Sequence, residues 1–526
     1  KFSHQWFLKM EDIVKPAIKS VLKSEDIKFF PKKFDNTFRN WMENIRDWNI
    51  SRQLYWGHQI PVFYYGDENK DYVVAENIDL ALEQVRKKTK NNNISLADLT
   101  QDEDVLDTWF SSWLWPISVF DGINNPENDE VNYYYPTNDL VTGPDIIFFW
   151  VSRMIMAGYQ FRDNKPFNNV YFTGIVRDKQ RRKMSKSLGN SPDALKLIDD
   201  YSADGVRVGL MLSSAAGNDL LFDESLCDQG KSFSNKIWNS LKLIKGWEVV
   251  DTNQPDYCSV TIDWYNQKFN SVLNTINDHF SKFRISDALM CIYKLIWDDF
   301  CSVLLEIIKP QYGQPIDEKT HRDLIKIFEK NLIILHPFMP FITEEIWHLI
   351  VKRKSEEAII ISSWPEFDTK LPTDTINDFE ALQNIISGIR NIRKKYQISF
   401  KESLNLSVVN NDNFSKNYDS IIKKICNIKD INYVDSEIKD ALSFRVESNI
   451  YSLPFEKEID FDEEIKKIKE DLDYQKGFLK SVNSKLENKR FTDNAPDSIV
   501  QNEIKKKNDA ISKISVLEER LKKLER

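Results

Sequence analysis

Two runs of apolar residues near the C-terminus leave the chain few ways to fold there. Ile465, Ile468, Leu472, Gln475, Leu479, Val482 and Leu486 recur in steps of three and four, a heptad seam with one polar break. A second seam uses Ile504, Ile511, Ile514, Leu517, Leu521 and Leu524. Between them Arg490-Phe491-Thr492-Asp493-Asn494-Ala495-Pro496 reads as a turn. Each seam would bury its stripe in a homodimeric coiled coil or against the other. The turn and the near-equal arms favour an intrachain antiparallel hairpin, each arm of about 25 residues reaching roughly 40 Å.

A chain of 526 residues has room for several domains. Charged residues make up 29% and the mean hydropathy is −0.48, which fits a globular protein rather than a disordered one. No stretch approaches the roughly 20 apolar residues that span a bilayer, and no membrane partner is expected. Lys1-Phe2-Ser3-His4-Gln5-Trp6 is not a signal peptide. Cys227, Cys258, Cys291, Cys301 and Cys426 show no Cys-x-x-Cys spacing, so no zinc knuckle or redox dithiol is expected, and a reducing cytoplasm is the natural home. Cys291 and Cys301 read as buried thiols on helices. The net charge of −9 argues against indiscriminate nucleic-acid binding but not against local basic patches.

One such patch is Lys179-Gln180-Arg181-Arg182, followed by Lys183-Met184-Ser185-Lys186-Ser187 and Leu188-Gly189-Asn190. A β-rich stretch, Val170 to Val176, precedes it. A helix follows, with Ser191 as N-cap, Pro192 at its first position and Asp193 in its first turn. Ammonium groups on a loop between strand and helix suit a nucleotide triphosphate, whose leaving oxygens gain charge during transfer. A solvated basic loop is the plainer reading, but a five-residue string arises by chance on the order of once in a few thousand such sequences.

Lys183–Ser187 resembles the KMSKS signature of class I aminoacyl-tRNA synthetases. The resemblance implies that Lys183 and Lys186 are catalytic, stabilising the pyrophosphate leaving group. It also implies an ATP site built from Gly143, Asp145, Gly174, Val176, Lys183, Met184, Ser185, Lys186 and Ser187. Further strings narrow it to the valyl-tRNA synthetases: Ser51-Arg52-Gln53-Leu54-Tyr55-Trp56-Gly57-His58-Gln59-Ile60-Pro61, Asp107-Thr108-Trp109-Phe110-Ser111-Ser112, and Thr142-Gly143-Pro144-Asp145-Ile146-Ile147-Phe148-Phe149-Trp150. By resemblance Trp109, Ile146 and Trp150 wall the pocket for a small branched side chain. Asp145, a charge in an apolar run, needs a partner or a ligand. A lone His58 is more often structural than catalytic, and His336 reads as a helix-end residue.

The expected fold is multidomain α/β plus all-α. Residues 1–220 form the second half of a Rossmann-like catalytic domain, with a surface insertion over about 64–104. A helical anticodon-binding bundle follows at 221–365, a small α/β unit at 366–457, and an antiparallel coiled-coil arm at 458–526. Within it an amphipathic helix runs from Phe38 through Trp41, Met42 and Ile45 to Trp48, and Pro116 ends an aromatic segment. A basic helix face at Arg390, Arg393, Lys394 and Lys395 is a candidate contact for tRNA phosphates, against the plainer reading of a solvated face. The implied activity is ligation of valine to its tRNA with ATP and Mg2+, by a monomer. An isoleucyl or leucyl enzyme, or a non-catalytic tRNA-binding module, are the alternatives. No His-x-Gly-His occurs, so the chain is expected to be a C-terminal portion without the first half of the nucleotide fold and without most of the editing insertion, unable to activate valine alone.

Overall fold

The computed structural model describes residues 4–66, 71–213, 218–372, 374–409, 416–438, 441–454, 461–488 and, beyond these, 500, 503, 504, 506–508, 510, 511, 513, 514, 517, 518 and 521. The chain divides into two compact units, one of residues 1–390 with 414–427, the other of 391–413 with 428–526.

The first unit begins with a three-stranded parallel sheet. Its strands are β1 (Lys28–Phe30), β2 (Thr137–Thr142) and β3 (Phe167–Phe172), with β3 in the middle. Phe167, Val170 and Phe172 of the central strand are fully buried, as a strand paired on both edges and covered by helices requires. Helices α1 (Met10–Leu22), α2 (Phe34–Glu43) and α3 (Ser152–Arg162) supply the rest of this core through Met10, Val14 and Ala17, Phe38 and Met42, and Met154 and Ile155.

Three local expectations, on the helix through Phe38, on Pro116 and on Cys291, are corrected here. The helix through Phe38 stops at Glu43; Trp48 belongs to a two-residue strand, and Trp41 is about half exposed with its ring stacked 4.8 Å from Phe148. Pro116 opens a short helix, Trp115–Ser118, rather than closing a segment. The insertion is a small folded body. Strands Val62–Tyr65, Asp71–Val74 and Thr100–Gln101 and helix Ile78–Thr89 enclose a core of their own around Phe63, Val73, Ala81 and Val85. The Trp6 indole N–H donates to Asp102 (2.9 Å), which also accepts from the Tyr64 hydroxyl (2.7 Å), tying that body to the sheet domain. Cys291 is only partly buried, whereas Cys227, Cys258, Cys301 and Cys426 are buried; all five are free thiols.

Helices α4 (Ala194–Tyr201) and α5 (Ala203–Ser213) lead out of the α/β part. The cap of α4 is Asp193, whose carboxylate accepts from the Leu195 N–H (2.9 Å), so the helix starts two residues later than the Ser191-Pro192 pair suggests. The bundle comprises α6 (Glu224–Lys245), α7 (Asp256–Ser281), a helix over residues 285–308 wound as a π-helix between Leu295 and Leu304, α8 (Glu318–Leu335) and α9 (Pro340–Ile350). Phe233, Tyr265, Phe300 and Phe328 fill its centre. Two residues one turn apart on α5 grip the turn between α8 and α9. Buried Asp204 accepts from the N–H groups of Phe341 (3.3 Å) and Ile342 (2.7 Å), and Arg207 donates to the carbonyls of Pro337 (3.0 Å) and Phe338 (3.1 Å). Each charged group therefore satisfies backbone groups of the sign that helix ends leave open. His336 caps α8, with Nδ1 at 2.7 Å from the Thr343 hydroxyl, a structural role.

Phe379 of helix α10 (Asp374–Lys395) stacks on Trp264 at 4.2 Å. The second unit contains a four-stranded sheet of β4 (Leu404–Val409), β5 (Ile428–Val434), β6 (Ala441–Val446) and β7 (Asn449–Pro454), in the order β5-β4-β7-β6. Helix α11 (Phe461–Glu487) follows. On it Ile468, Leu472 and Val482 are buried and Gln475, Leu479 and Leu486 partly so, the predicted seam. The second arm differs. Ile504 and Ile511 are exposed, and the covered stripe is Glu503, Lys507, Ala510, Ile514, Leu517 and Leu521, in steps of four and three. Both isoleucines lie one residue off that stripe, where the helix turns them outward. Lys476 pairs with Glu518 at 2.7 Å and Lys485 acts electrostatically on Glu503, so the two helical stretches run antiparallel. The predicted turn from Arg490 to Pro496, the side chain of Ile465, and Leu524 lie outside the described residues.

Candidate functional site

The carboxyl ends of β2 and β3 lie side by side. The Thr173 N–H donates to the Thr142 carbonyl (2.9 Å), which sets the turn at Gly143 beside the loop that leaves β3 at Gly174. A Cβ on Gly174 would lie 1.8 Å from the Asn218 carbonyl oxygen, so no side chain fits where these two backbones meet. At Gly143 a Cβ would lie 2.5 Å from an Asp145 carboxylate oxygen, which folds back over the turn. Asp145 is exposed, so its charge is not enclosed by the apolar run around it. It sits in the first turn of a short 3-10 helix, Pro144–Ile146, on the solvent side of the apolar run. Crevices at the carboxyl ends of parallel strands are where open α/β sheets take ligands.

Past Gly174, Val176–Arg177 pairs in parallel with Leu220–Leu221. The signature loop then closes on Asp178, a residue that motif reading passed over. Its carboxylate accepts from the N–H groups of Gln180 (3.0 Å) and Arg182 (2.8 Å), from Arg182 Nε (2.8 Å) and from the Asn190 amide (2.9 Å). Asn190 in turn accepts from the Ser185 N–H (2.9 Å) and donates to the Lys183 carbonyl (3.2 Å). Asp178 and Asn190 thus clasp the two ends of the loop. Inside it the Ser185 and Ser187 hydroxyls lie 3.1 Å apart and Ser185 also accepts from the Leu188 N–H (3.3 Å). Met184 and Val176 pack on the cluster of Leu197, Leu220 and Phe222, anchoring the loop by its apolar residues.

The loop's cations divide into two sets. Arg177 pairs with Asp219, Lys179 with Asp223 and Arg182 with Asp178. Among the described residues the exposed side chains of Arg181 and Lys183 have no carboxylate partner. The side chain of Lys186 lies outside the described residues; its backbone begins a 3-10 turn, Lys186–Leu188.

The hydrogen bond from Asn190, with those from Arg182 and the Arg182 charge, holds the Asp178 carboxyl at about 2, below the ordinary 3.8, against partial desolvation. A depressed folded value stabilises the clasp above pH 3.8, and the contribution is lost as pH falls through about 2. Amide exchange at Gln180 and Arg182 should therefore stay protected near pH 4.5 and lose protection on approaching pH 2, with no such dependence in Asp178→Asn. Identical profiles for the two proteins would contradict this account of the loop.

Of the three residues expected to wall a pocket, Trp109 lies on the short helix Thr108–Ser112, and Ile146 and Trp150 follow the turn at Gly143. Residues 147–151 wind as a π-helix, a form often found at functional sites. Trp150, half-buried, donates from its indole to the Ser112 carbonyl (3.1 Å) and packs on Trp115. Trp109 stacks on Phe149 at 5.9 Å, and Ile146 is partly buried at the end of the 3-10 turn. Next to Trp109 lies a group absent from the expectations, centred on buried Asp107. It accepts from the Trp48 indole (2.8 Å), Arg52 (3.0 Å) and the Trp109 N–H (3.2 Å), with buried Arg153 at 3.9 Å. The Arg153 guanidinium lies 3.7 Å over the Trp48 ring. Asp107 therefore sets where Trp109 begins its helix. A charged residue directly before Thr-Trp was the available signal, since Asp is a strong N-cap.

The candidate tRNA contacts are divided. Arg390 and Lys394 are exposed, and Lys395 is exposed with its ammonium 5.0 Å from the Tyr396 ring centroid. Arg393 is not part of a solvated face. It is 5% exposed and donates to the carbonyls of Ser399 (2.8 Å) and Glu402 (3.0 Å), so it shapes the turn after its helix. Among the described residues no three His, Cys, Asp or Glu side chains converge as a metal site, and no helix is long and apolar enough to cross a membrane.

Comparison with known proteins adds to this geometry. Residues 1–223 match the tRNA synthetases class I (I, L, M and V), residues 263–409 the anticodon-binding domain of tRNA ligase, and residues 460–525 the valyl tRNA synthetase tRNA binding arm. The chain is similar to the valine--tRNA ligase of Christiangramia forsetii, 57% identical over 528 residues, covering 100% of this chain and 60% of that protein. With the valine--tRNA ligase of Parabacteroides distasonis it is 52% identical over 520 residues (99% and 59%). With that of Chlorobaculum tepidum it is 35% identical over 551 residues (99% and 59%). The chain spans about 60% of the length of the curated relatives it matches.

Proposed function

We propose, from its similarity to the class I tRNA synthetases over residues 1–223 and to valine--tRNA ligases along its length, that the chain serves the ATP-dependent joining of valine to its tRNA. The observation that carries the reading is the clasped signature loop that follows the carboxyl end of β3, where Arg177, Lys179 and Arg182 are paired and the exposed Lys183 has no carboxylate partner among the described residues. In the first step a valine carboxylate oxygen attacks the α-phosphorus of ATP, the bond to the bridging oxygen breaks, and pyrophosphate leaves. Lys183 and Lys186 offset the charge that grows on the leaving group. The backbone at Gly143 and Gly174 leaves room for the nucleotide, as do Ser185 and Ser187 for its phosphate oxygens. Trp109, Ile146 and Trp150 take the side chain. A dry wall of this kind rejects the isosteric threonine by only about a hundredfold. In the second step a ribose hydroxyl at the tRNA 3′ end attacks the valyl carbonyl and AMP leaves. No covalent enzyme intermediate is needed, so the catalysis is positioning and charge stabilisation. Magnesium enters with ATP as the substrate complex.

Residues 1–220 then belong to the catalytic domain, 221–365 to anticodon binding, 366–457 to a junction and 458–526 to an arm that holds tRNA, in a cytoplasmic monomer. Arg390, Lys394 and Lys395 remain the phosphate contacts, without Arg393. The reading is tested by charging with a full-length protein carrying this sequence: valine should be esterified to tRNA in preference to isoleucine, and the reverse preference would overturn it. This chain alone, having no His-x-Gly-His, should show no valine-dependent exchange of pyrophosphate into ATP. Measurable exchange would contradict the expectation that this chain cannot activate valine alone.

A further inference from the structure

The run between strand Ser51–Arg52 and Pro61 carries two adjacent aromatic rings that the fold leaves bare. Tyr55 is 104% exposed and Trp56 89%. Solvent exposure on this scale usually accompanies a loose loop, but this loop is pinned. The Gln53 side chain donates to Asp104 (2.7 Å) and that of Gln59 to the Asp102 carbonyl (2.7 Å). The Leu106 N–H donates to the His58 carbonyl (2.8 Å) and the Ile60 N–H to the Asp104 carbonyl (3.0 Å). Both ends are therefore sewn to residues 102–106, and the rings are carried on backbone already ordered before anything binds. Little conformational entropy remains to be lost there on binding.

The placement is informative as well. Ser51–Arg52 pairs antiparallel with Val105–Leu106, which runs directly into Asp107 and the Trp109 wall, and Arg52 is itself bound to Asp107. The bare rings are thus continuous in the fold with the proposed aminoacyl pocket. The exposed His58 flanks them with a polar ring, whereas Arg52 is taken up by Asp107 and by the carbonyls of Asn49 and Ser51. Bare aromatic faces on ordered backbone match unpaired nucleotides, whose bases stack on such rings whatever their sequence. The substrate that must reach this pocket from outside is an RNA end with unpaired bases.

We propose that Tyr55 and Trp56 form a stacking platform for the unpaired 3′ end of the tRNA, steering its terminal ribose towards the aminoacyl pocket. The proposal rests on the reading given above. These are positioning residues: neither touches the reacting atoms.

The test uses this chain and valine-accepting tRNA whose 3′-terminal nucleotide is replaced by 2-aminopurine riboside. Anisotropy reads overall binding, and 2-aminopurine emission reads stacking of the end. The wild-type chain should bind and quench the emission. Tyr55→Ala/Trp56→Ala should lose the quenching and weaken binding by about tenfold, and Trp56→Phe should restore part of both. Because both side chains stand in solvent, an unchanged thermal transition confirms that the variants fold. Binding without quenching in the wild type, or quenching unaffected by the substitutions, would overturn the platform and leave the reading standing. A wild-type chain that does not bind the tRNA would overturn both. Concentration-dependent dimerisation abolished by Trp56→Ala would show that a second copy covers the rings, and would also overturn the platform.

Discussion

Replacing Lys183 by alanine in a full-length protein carrying this sequence is expected to slow valine-dependent pyrophosphate exchange by about 10²–10³-fold, with valine binding almost unchanged. Lys183 is exposed on a loop where Arg177, Lys179 and Arg182 are bound by Asp219, Asp223 and Asp178, and where Arg181 is exposed as well. A charge held in an internal ion pair cannot turn towards a leaving group without losing that pair. Lys183 has no such partner among the described residues, so its response to new negative charge is not opposed. Asn190→Ala should give a loss of about 10²-fold by another route. The lysine charge remains, but the clasp on Ser185, Lys183 and Asp178 is gone, and the ammonium is no longer held over one place. The two variants separate in salt: added salt screens what Lys183 contributes and does not mimic the Asn190 defect. Exchange within about threefold of wild type in Lys183→Ala would remove the charge argument.

Asp107→Ala is expected to destabilise the first unit by about 3–5 kcal/mol, because it strips the partner from buried Arg153 and leaves the Trp48 indole unsatisfied. The cost is mainly that of an uncompensated buried charge, not the worth of the pair itself. Asp107→Asn should cost less, since an amide oxygen can still accept from Trp48 and from the Trp109 N–H. Urea unfolding followed by tryptophan emission would read both. A loss below about 1 kcal/mol in Asp107→Ala would show that Arg153 is neutralised by another group or reached by water.

The strands and helices were largely legible because their periods are strong. The central strand of the parallel sheet and strand Leu404–Val409 are buried as their apolar runs indicate. The seam on α11 also follows its spacing. What escaped was set by turns and by contacting elements that a residue pattern does not record. Arg393 sits in a basic run, and only the carbonyls of Ser399 and Glu402 make it a buried structural residue. Asp145 sits in an apolar run, yet the 3-10 turn rotates it to solvent. In the second arm, Ile504 and Ile511 share the seven-residue spacing of the true stripe and cannot be told from it by period alone. Glu503 and Ala510 take the covered positions because the partner helix fixes the register. The signature string announced the loop, but not the clasp of Asp178 and Asn190, whose interest lies in a fold-back across twelve residues.

The most direct test of the central claim is tRNA binding by this chain at moderate salt, with valine-accepting and isoleucine-accepting tRNA in competition. If the chain carries the tRNA-recognising parts of a valine enzyme, valine-accepting tRNA should win, and the preference should persist as salt rises even while affinity falls. Equal binding of both, disappearing together with salt, would leave only a phosphate term and contradict the claim.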